Sequence, residues 1–596
     1  MRSKTMVALP VIFLLFSPIS QAQLWGSILG SGQAIDWSNA GVGGIPARNT
    51  RCAIIFPPAT FTEINSALAS CPGGDAVYLS AGTYSITGTI SVPSNVTLRG
   101  AGANLTILNA TGSNGGDVIS LGSGSVSYNP VEITSGTRAG STRIVVGNAS
   151  DISVGNYLAI AESNDGGRVP AQRSERDCSG CDGGWAGTGR LERGQIVAVT
   201  GINGTTISVW PGLYSTYANT PVAVPFSMAK SYAGVEDLQV RANHTGYAAN
   251  FGISKCAYCW ISGVESNDAD GDHVEVHWGY HDEIRDSYFS NVSLHASGTQ
   301  DSNIEIALKT SASLVENNIV ERTHGSLTLA SGAAGNVVSY NYAEEKPDSN
   351  SMNLAIGGID LRGEQLQFNL LEGNVLTTMY ADPVSLASSE TTAYRNWVTG
   401  TNQICSSIGG RDTVNCMDPN SRYGIQATRA AENSLPEANP NFVGNIVGSA
   451  QMQFPMDPNS PLVEKQSVEY FHRGSDFADG YGSSSGFPEG KDDGTNSRAE
   501  GINQALPATF YLSGKPSWWR SIPFPATGPD VTGGFGPEGH SYGNPAEACY
   551  FKVMGGSDGG SGGPLTFDAG RCYGTGHPTP QAPTGFIARN ARRGGP

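Results

Sequence analysis

The sequence predicts an all-β fold of short strands wound into stacked coils, and three observations predict it. Charged residues are only 15% of the 596-residue chain, while Gly numbers 78. That balance suits many short strands joined by tight turns, because Gly and Asn accept positive φ. Short alternating runs bounded by Gly, Pro or Asn recur from Ser85 to Leu108. The third observation is a repeat. Val235-Glu-Asp-Leu-Gln-Val aligns with segments starting at Ile261, Ile284, Val315, Val338, Leu371 and Tyr394, at spacings of 26, 23, 31, 23, 33 and 23. A recurring 23 with occasional additions is the signature of a coil with variable loops. One such coil cannot bury its apolar face alone, so stacking supplies the core.

In chain order, the first segment reads as an export signal, residues 1–22. Arg2 and Lys4 precede the apolar run Met6 to Phe16, and Ser20-Gln21-Ala22 is a small-residue cleavage site. The run is too short to span a bilayer, and no later stretch reads as a transmembrane helix. The expected location is secreted: extracellular, periplasmic or on the cell surface. A net charge of −17 argues against nucleic acid and anionic lipid as partners. Ten cysteines fall in close pairs: Cys52 with Cys71, Cys178 with Cys181, Cys256 with Cys259, Cys405 with Cys416, and Cys549 with Cys572. In an exported protein, nearest-neighbour disulfides are the economical reading. The two C-x-x-C spacings also suit zinc or redox chemistry, but no adjacent Cys/His pair follows at finger-like spacing.

Residues 23–130 read as a cap and the first coils. Thr60-Phe-Thr-Glu63 has capping-box spacing, and Phe61, Ile64 and Leu68 recur at helical intervals, so a short amphipathic helix should end near Ser70. Gly73-Gly-Asp-Ala-Val-Tyr-Leu-Ser-Ala-Gly-Thr-Tyr84 follows, then Val96-Thr-Leu-Arg-Gly-Ala-Gly102. On these residues the chain resembles the pectate lyase (pectin lyase-like) superfamily. The resemblance implies a right-handed parallel β-helix whose open end the helix caps. It does not select a chemistry, because the fold hosts lyases, hydrolases, esterases, epimerases and viral fibre proteins. The arginine-centred motif of pectate lyases is not found. The paired aspartates and Gly-His-Gly of polygalacturonases are missing, and Thr323-His324-Gly325 has only a partial likeness to them.

Residues 131–226 break the rhythm with Thr142-Arg-Ile-Val-Val, Tyr157-Leu-Ala-Ile, Gln195-Ile-Val-Ala-Val and Thr206-Ile-Ser-Val-Trp, an inserted antiparallel β module. The main β-helix should occupy 227–400. There Asn318, Asn341 and Asn374 share one register, as a ladder of turn asparagines would. Residues 401–573 read as an irregular region wrapping the helix, and 574–596 as a disordered tail. Lys515-Pro-Ser-Trp-Trp-Arg520 reads first as a staple against the helix side and second as a sugar-stacking surface.

The densest polar cluster is Asp268-Ala-Asp270-Gly-Asp272-His273-Val-Glu275-Val-His277. With Val274 and Val276 inward, alternation turns His273, Glu275 and His277 outward. In the next coil Ile304 and Ile306 point inward, so Glu305 and Lys309 point outward. Leu327 and Leu329 follow, just past His324. Aligning Val274 with Ile304 and Leu327 stacks Glu275 beside Glu305 beside Thr328. Like charges opposite one another on neighbouring strands are destabilising, so the pair is unexpected for solubility alone. Such a pair suits general acid–base work on a glycosidic bond, with His273, His277, Lys309 and His324 around it. It also suits calcium, with Asp268, Asp270 and Asp272 as further candidate ligands; the Gly and terminal Glu spacing of an EF-hand is absent, which argues against that motif. The expected function is a secreted polysaccharide lyase or glycoside hydrolase. The alternative is a glycan-binding adhesin or fibre protein that does not cleave.

Overall fold

The computed structural model describes residues 25–574, apart from 26–27, 30–31, 113–114, 164–184, 186–192, 243–245, 293–302, 324–326, 345–357, 363–364, 378, 382–390, 400–424, 428–440, 448–467, 472–505, 537–538 and 557–564. The proposed export signal, Cys178, Cys181, Cys405, Cys416 and the tail beyond 574 lie outside the described residues.

The chain winds into parallel coils that stack along one axis. Each central coil contributes three strands, as in Trp260–Ser262, Glu265–Ala269 and Asp272–His277, followed by Glu283–Arg285, Tyr288–Val292 and Ile304–Ala307 in the next. The first two strands of each coil join one long sheet, and the third joins a nine-stranded sheet. Same-sheet parallel crossovers are overwhelmingly right-handed, which fits the winding the resemblance implies. Inward residues at each level stack in register: Val235 on Ile261, Ile261 on Ile284, Ile284 on Val315, Val315 on Val338 and Val338 on Leu371. These are the pairings the repeat predicts. The last one slips by a residue, because Leu371 pairs with Ala393 and not Tyr394. Ala393 fills the core position, while Tyr394 turns outward and stacks on Phe510 at 3.7 Å between ring centroids.

The predicted helix, Phe61–Ser70, carries the complete capping box and buries Ile64 and Leu68 on the first coil. The asparagine ladder also forms and runs further than the sequence indicated. Asn318 donates to Asn341 at 3.0 Å, Asn341 to Asn374 at 3.0 Å, Asn374 to Asn396 at 2.9 Å, and Asn396 to Asn445 at 2.9 Å. Asn445 belongs to strand Asn441–Val447, which pairs with Thr392–Tyr394. The coils therefore continue past 400, contrary to the expected boundary. The long intervening segment hides the spacing that would have marked them.

Three of the five expected cysteine pairs lie among the described residues, and all three are bonded: Cys52–Cys71, Cys256–Cys259 and Cys549–Cys572. Peptide mapping under non-reducing conditions should recover these three linkages; free thiols at Cys256 and Cys259 would contradict them.

The inserted module is a closed six-stranded antiparallel barrel, from Val131–Ser135 to Val222–Phe226. It leaves the coils after strand Ile119–Ser120 and returns before Gly234–Glu236. It docks on the turns that follow strands of the nine-stranded sheet: Ile196 N–H donates to Ser311 Oγ at 2.9 Å, Tyr280 OH to Trp210 O at 2.9 Å, and Gln367 Nε2 to Gly194 O at 2.7 Å.

The C-terminal segment covers the long sheet. Trp518 and Trp519 are 4% and 1% exposed, and Trp519 lies edge-on to Tyr340 at 4.7 Å. They staple, and present no sugar-stacking face. The residues before the capping helix join them: Trp37 stacks against Phe510 at 6.5 Å and donates to Phe368 O at 2.6 Å. Under the staple, Glu372 accepts from Phe510 N–H at 2.8 Å and from Tyr340 OH at 2.5 Å. Burial pushes its carboxyl up to about 7, against the opposing pull of those donors, of Thr509 and of Arg395. Between its unfolded value near 4.5 and 7, the folded chain holds a proton that the unfolded chain releases, so this group costs stability as pH rises through that window. Glu372→Gln, which mimics the protonated form, should therefore gain stability relative to wild type between pH 4.5 and 7. Parallel denaturant titrations across that range measure the difference, and a constant difference would refute it.

Candidate active site

The site grows out of the nine-stranded sheet. Strands Asp272–His277 and Ile304–Ala307 pair Val274 with Ile304, Glu275 with Glu305 and Val276 with Ile306. The four aliphatic side chains are buried in the core. Strand alternation then leaves Glu275 and Glu305 on the outer face, both partly exposed. Thr328 and Asp360 continue the same column. His277 faces Ala307 in register, and its Nε2 reaches Glu305 Oε2 at 2.9 Å. About a quarter of each of these two side chains is exposed.

One further acid joins, which the sequence reading did not single out. In the preceding coil the position in register with Glu275 is Gly252. Asp117, just before strand Ile119–Ser120, lays its carboxylate into the space that this glycine leaves, and a Cβ on Gly252 would overlap Asp117 Oδ2. The available signal was the glycine itself, standing at an outward position in an otherwise polar column.

The carboxyls perturb one another. Asp117 is pushed up to about 6, first by burial and then by the charge of Glu275, with His277 opposing. Glu275 is raised by burial and by Glu305, against His277 and a hydrogen bond from Asp272. For His277 burial is the largest single influence and acts against the charged form, but Glu305, Glu275 and Asp117 together outweigh it and raise the imidazole. The column thus combines acids that keep protons unusually well with a carboxylate tied to a basic imidazole.

Other expected site residues are elsewhere. His273 is fully buried and not outward. The pairing passes from Ala249–Asp272 to Phe251–Val274 just after the bend at Gly271. The register does not shift there, yet the imidazole lies against Ser266 Oγ at 2.7 Å and Phe289 at 5.8 Å, where burial lowers its pKa to about 3. Lys309 is also buried. Leu308 and Lys309 both have positive φ, so the alternation ends at Ala307 and the ammonium lies 5.0 Å from the Trp185 ring. His324 lies outside the described residues. Asp270 is buried and accepts from Gly246 N–H. Among the described residues, Cys256, Cys259 and Asp282 form the one His/Cys/Asp/Glu group whose ligand atoms gather within 4.8 Å, and its sulfurs are joined in a disulfide. Asp268, Asp270 and Asp272 do not converge in this way.

Stacked parallel coils closed by a helix, with an outward polar column on one sheet, define a parallel β-helix protein. Residues 61–172 match the family model described as rhamnogalacturonase A/epimerase, pectate lyase-like. No curated protein matches the chain. Among solved structures, the tailspike protein gp49 from Pseudomonas phage LKA1 is similar over 65% of this chain and 63% of its own, under two thirds of its length, at 16% identity and a TM-score of 0.43. The Gp54 tailspike of Acinetobacter baumannii bacteriophage AP22, solved with a capsular saccharide, is similar over 65% and 69%, at 13% identity and a TM-score of 0.31. The polygalacturonase from Erwinia carotovora ssp. carotovora is similar over 59% and 79%, at 12% identity and a TM-score of 0.29.

Proposed function

We propose that this chain is an exported polysaccharide-degrading enzyme whose site is the outer column of the nine-stranded sheet at Glu275 and Glu305. The observation that carries the reading is the register pairing of these two carboxyls, with His277 bonded to the second. The reaction assigned to this pair is hydrolysis. A protonated carboxyl at Glu275 gives its proton to the departing glycosidic oxygen. Glu305, paired with His277, takes a proton from water, whose oxygen bonds to the anomeric carbon. Export is supported by the disulfides. No helix among the described residues is long and apolar enough to cross a membrane.

The test is to incubate the mature protein with a panel of neutral and acidic polysaccharides, with and without calcium. New reducing ends without unsaturated products are expected. Absorbance from unsaturated products would replace hydrolysis by elimination, and binding without any cleavage would make the column a glycan-binding surface.

A further inference from the structure

We propose that Asp117, seated in the gap over Gly252, is the third acid of this site and shares one proton with Glu275, so that the two carboxyls act as a single acid. The proposal rests on the reading of Glu275 and Glu305 as the catalytic pair, and it assigns a division of labour within the column.

Three geometric facts carry it. Gly252 occupies the outward position next to Glu275 and has no side chain of its own. Asp117 fills that space with its carboxylate, though it comes from a coil laid down before the barrel. On the other side of Glu275, Glu305 is engaged by His277 at 2.9 Å. The order across the sheet is therefore Asp117, Glu275, then Glu305 with its imidazole. Adjacent strands stand about 4.8 Å apart, so neighbouring carboxyls on this face cannot all ionise without mutual cost.

The groups that face the pair decide where the protons go. Asp117 is acted on by Glu275 and His277. Glu275 is acted on by His277, Glu305 and Asp272. The imidazole stabilises negative charge at the Glu305 end, and no such bond is made to Asp117. In the proposed single-proton state the proton lies on the Asp117–Glu275 side, where Asp272 is also hydrogen-bonded to Glu275, and the charge lies at Glu305. The titration belongs to the pair and not to either residue. During cleavage the shared proton leaves with the glycosidic oxygen, the pair keeps one additional negative charge, and the proton that Glu305 takes from water restores the balance on product release.

Asp117 acts through Glu275 and is a positioning residue, so its test needs more than lost activity. Two substitutions separate its charge from its placement. Asp117→Asn removes the neighbouring charge. Gly252→Ala keeps both carboxyls but fills the space, and Gly252 is not among the positive-φ glycines, so the backbone tolerates the change. Both should move the alkaline limb of the activity profile to lower pH by about one unit, with Asp117→Glu restoring part of the shift. Isotope-edited infrared titration of 13C-carboxyl-labelled protein supplies a readout without substrate: in the wild-type-minus-variant difference, where the signals of Glu372 and the other buried acids cancel, a protonated component that titrates near pH 6 in wild type should move to lower pH in both variants. If both fold as wild type yet leave the profile and the infrared titration unmoved, Asp117 has no part in the acid and the proposal falls. If instead Glu275→Gln and Glu305→Gln retain full turnover while the infrared titration shifts as expected, the proton sharing stands and the catalytic reading of the column is what fails.

Discussion

Glu275→Gln and Glu305→Gln should each lower polysaccharide cleavage by about two to four orders of magnitude, the usual contribution of a positioned acid or base. Glutamine keeps the size of each side chain and its capacity to accept a hydrogen bond but cannot exchange a proton in the working pH range. Both residues lie on the outer face, and neither supports the core, which at this level is Val274, Val276, Ile304 and Ile306. The melting temperature should therefore change little. The two variants should differ in one respect. Glu305→Gln also strips His277 of its carboxylate partner, so the imidazole should lose protons at lower pH than in wild type. Turnover measured on whichever polysaccharide the parent cleaves decides the matter. Full activity in both variants would move the catalytic centre away from this column.

The second large effect is on stability. Arg285 lies on the outer face of the long sheet, beneath the C-terminal staple, with its side chain 1% exposed. It pairs with Glu283 at 3.0 Å, Asp286 at 2.7 Å and Glu316 at 2.9 Å. The ring of Trp518 lies 5.7 Å from its guanidinium carbon. Tyr511, from the staple, donates to Glu316 at 2.5 Å. Arg285→Met keeps the length of the stem and removes the charge, leaving three buried acids without their common partner. Breaking a buried pair from one side costs about 3–5 kcal/mol, because the remaining charge is stranded. Chemical denaturation of the variant should show a loss of that order. A change below about 1 kcal/mol would mean that the acids take up protons at little cost and that the arginine is not what holds this layer together.

The coils were legible because their signal is local and repeated. An inward aliphatic every second residue, recurring near 23 positions, fixes both the strands and their stacking, and Val274 could be set on Ile304 without any coordinates. The same rule placed Glu275 beside Glu305. It failed at two other residues. His273 lies against Ser266 and Phe289 although its strand keeps register, and Lys309 is the second of two left-handed residues, so parity counted from the nearest valine or isoleucine gave the facing of neither. Tyr394 misled for a different reason: an alanine, not the larger residue beside it, was the core residue, and the tyrosine was reserved for the C-terminal staple. Asp117 was invisible because its role depends on a neighbour far along the chain that contributes nothing but space.

The position of the barrel has a consequence for the order in which the chain can assemble. Phe251 must find Ile119 to continue the nine-stranded sheet, yet the whole barrel lies between them in sequence. In an unfolded chain that contact closes a long loop, whose entropy must be met before the contact returns anything. Of the six barrel pairings, three join strands that follow one another in sequence, as where Thr206–Trp210 folds back directly on Gly194–Asn203, and none needs the later coils. If the barrel closes first, its two ends are brought together and the long loop becomes a short one. In that order the acid of the first coils meets the glycine of the later ones only after the inserted module has folded, and the column of carboxyls is completed last.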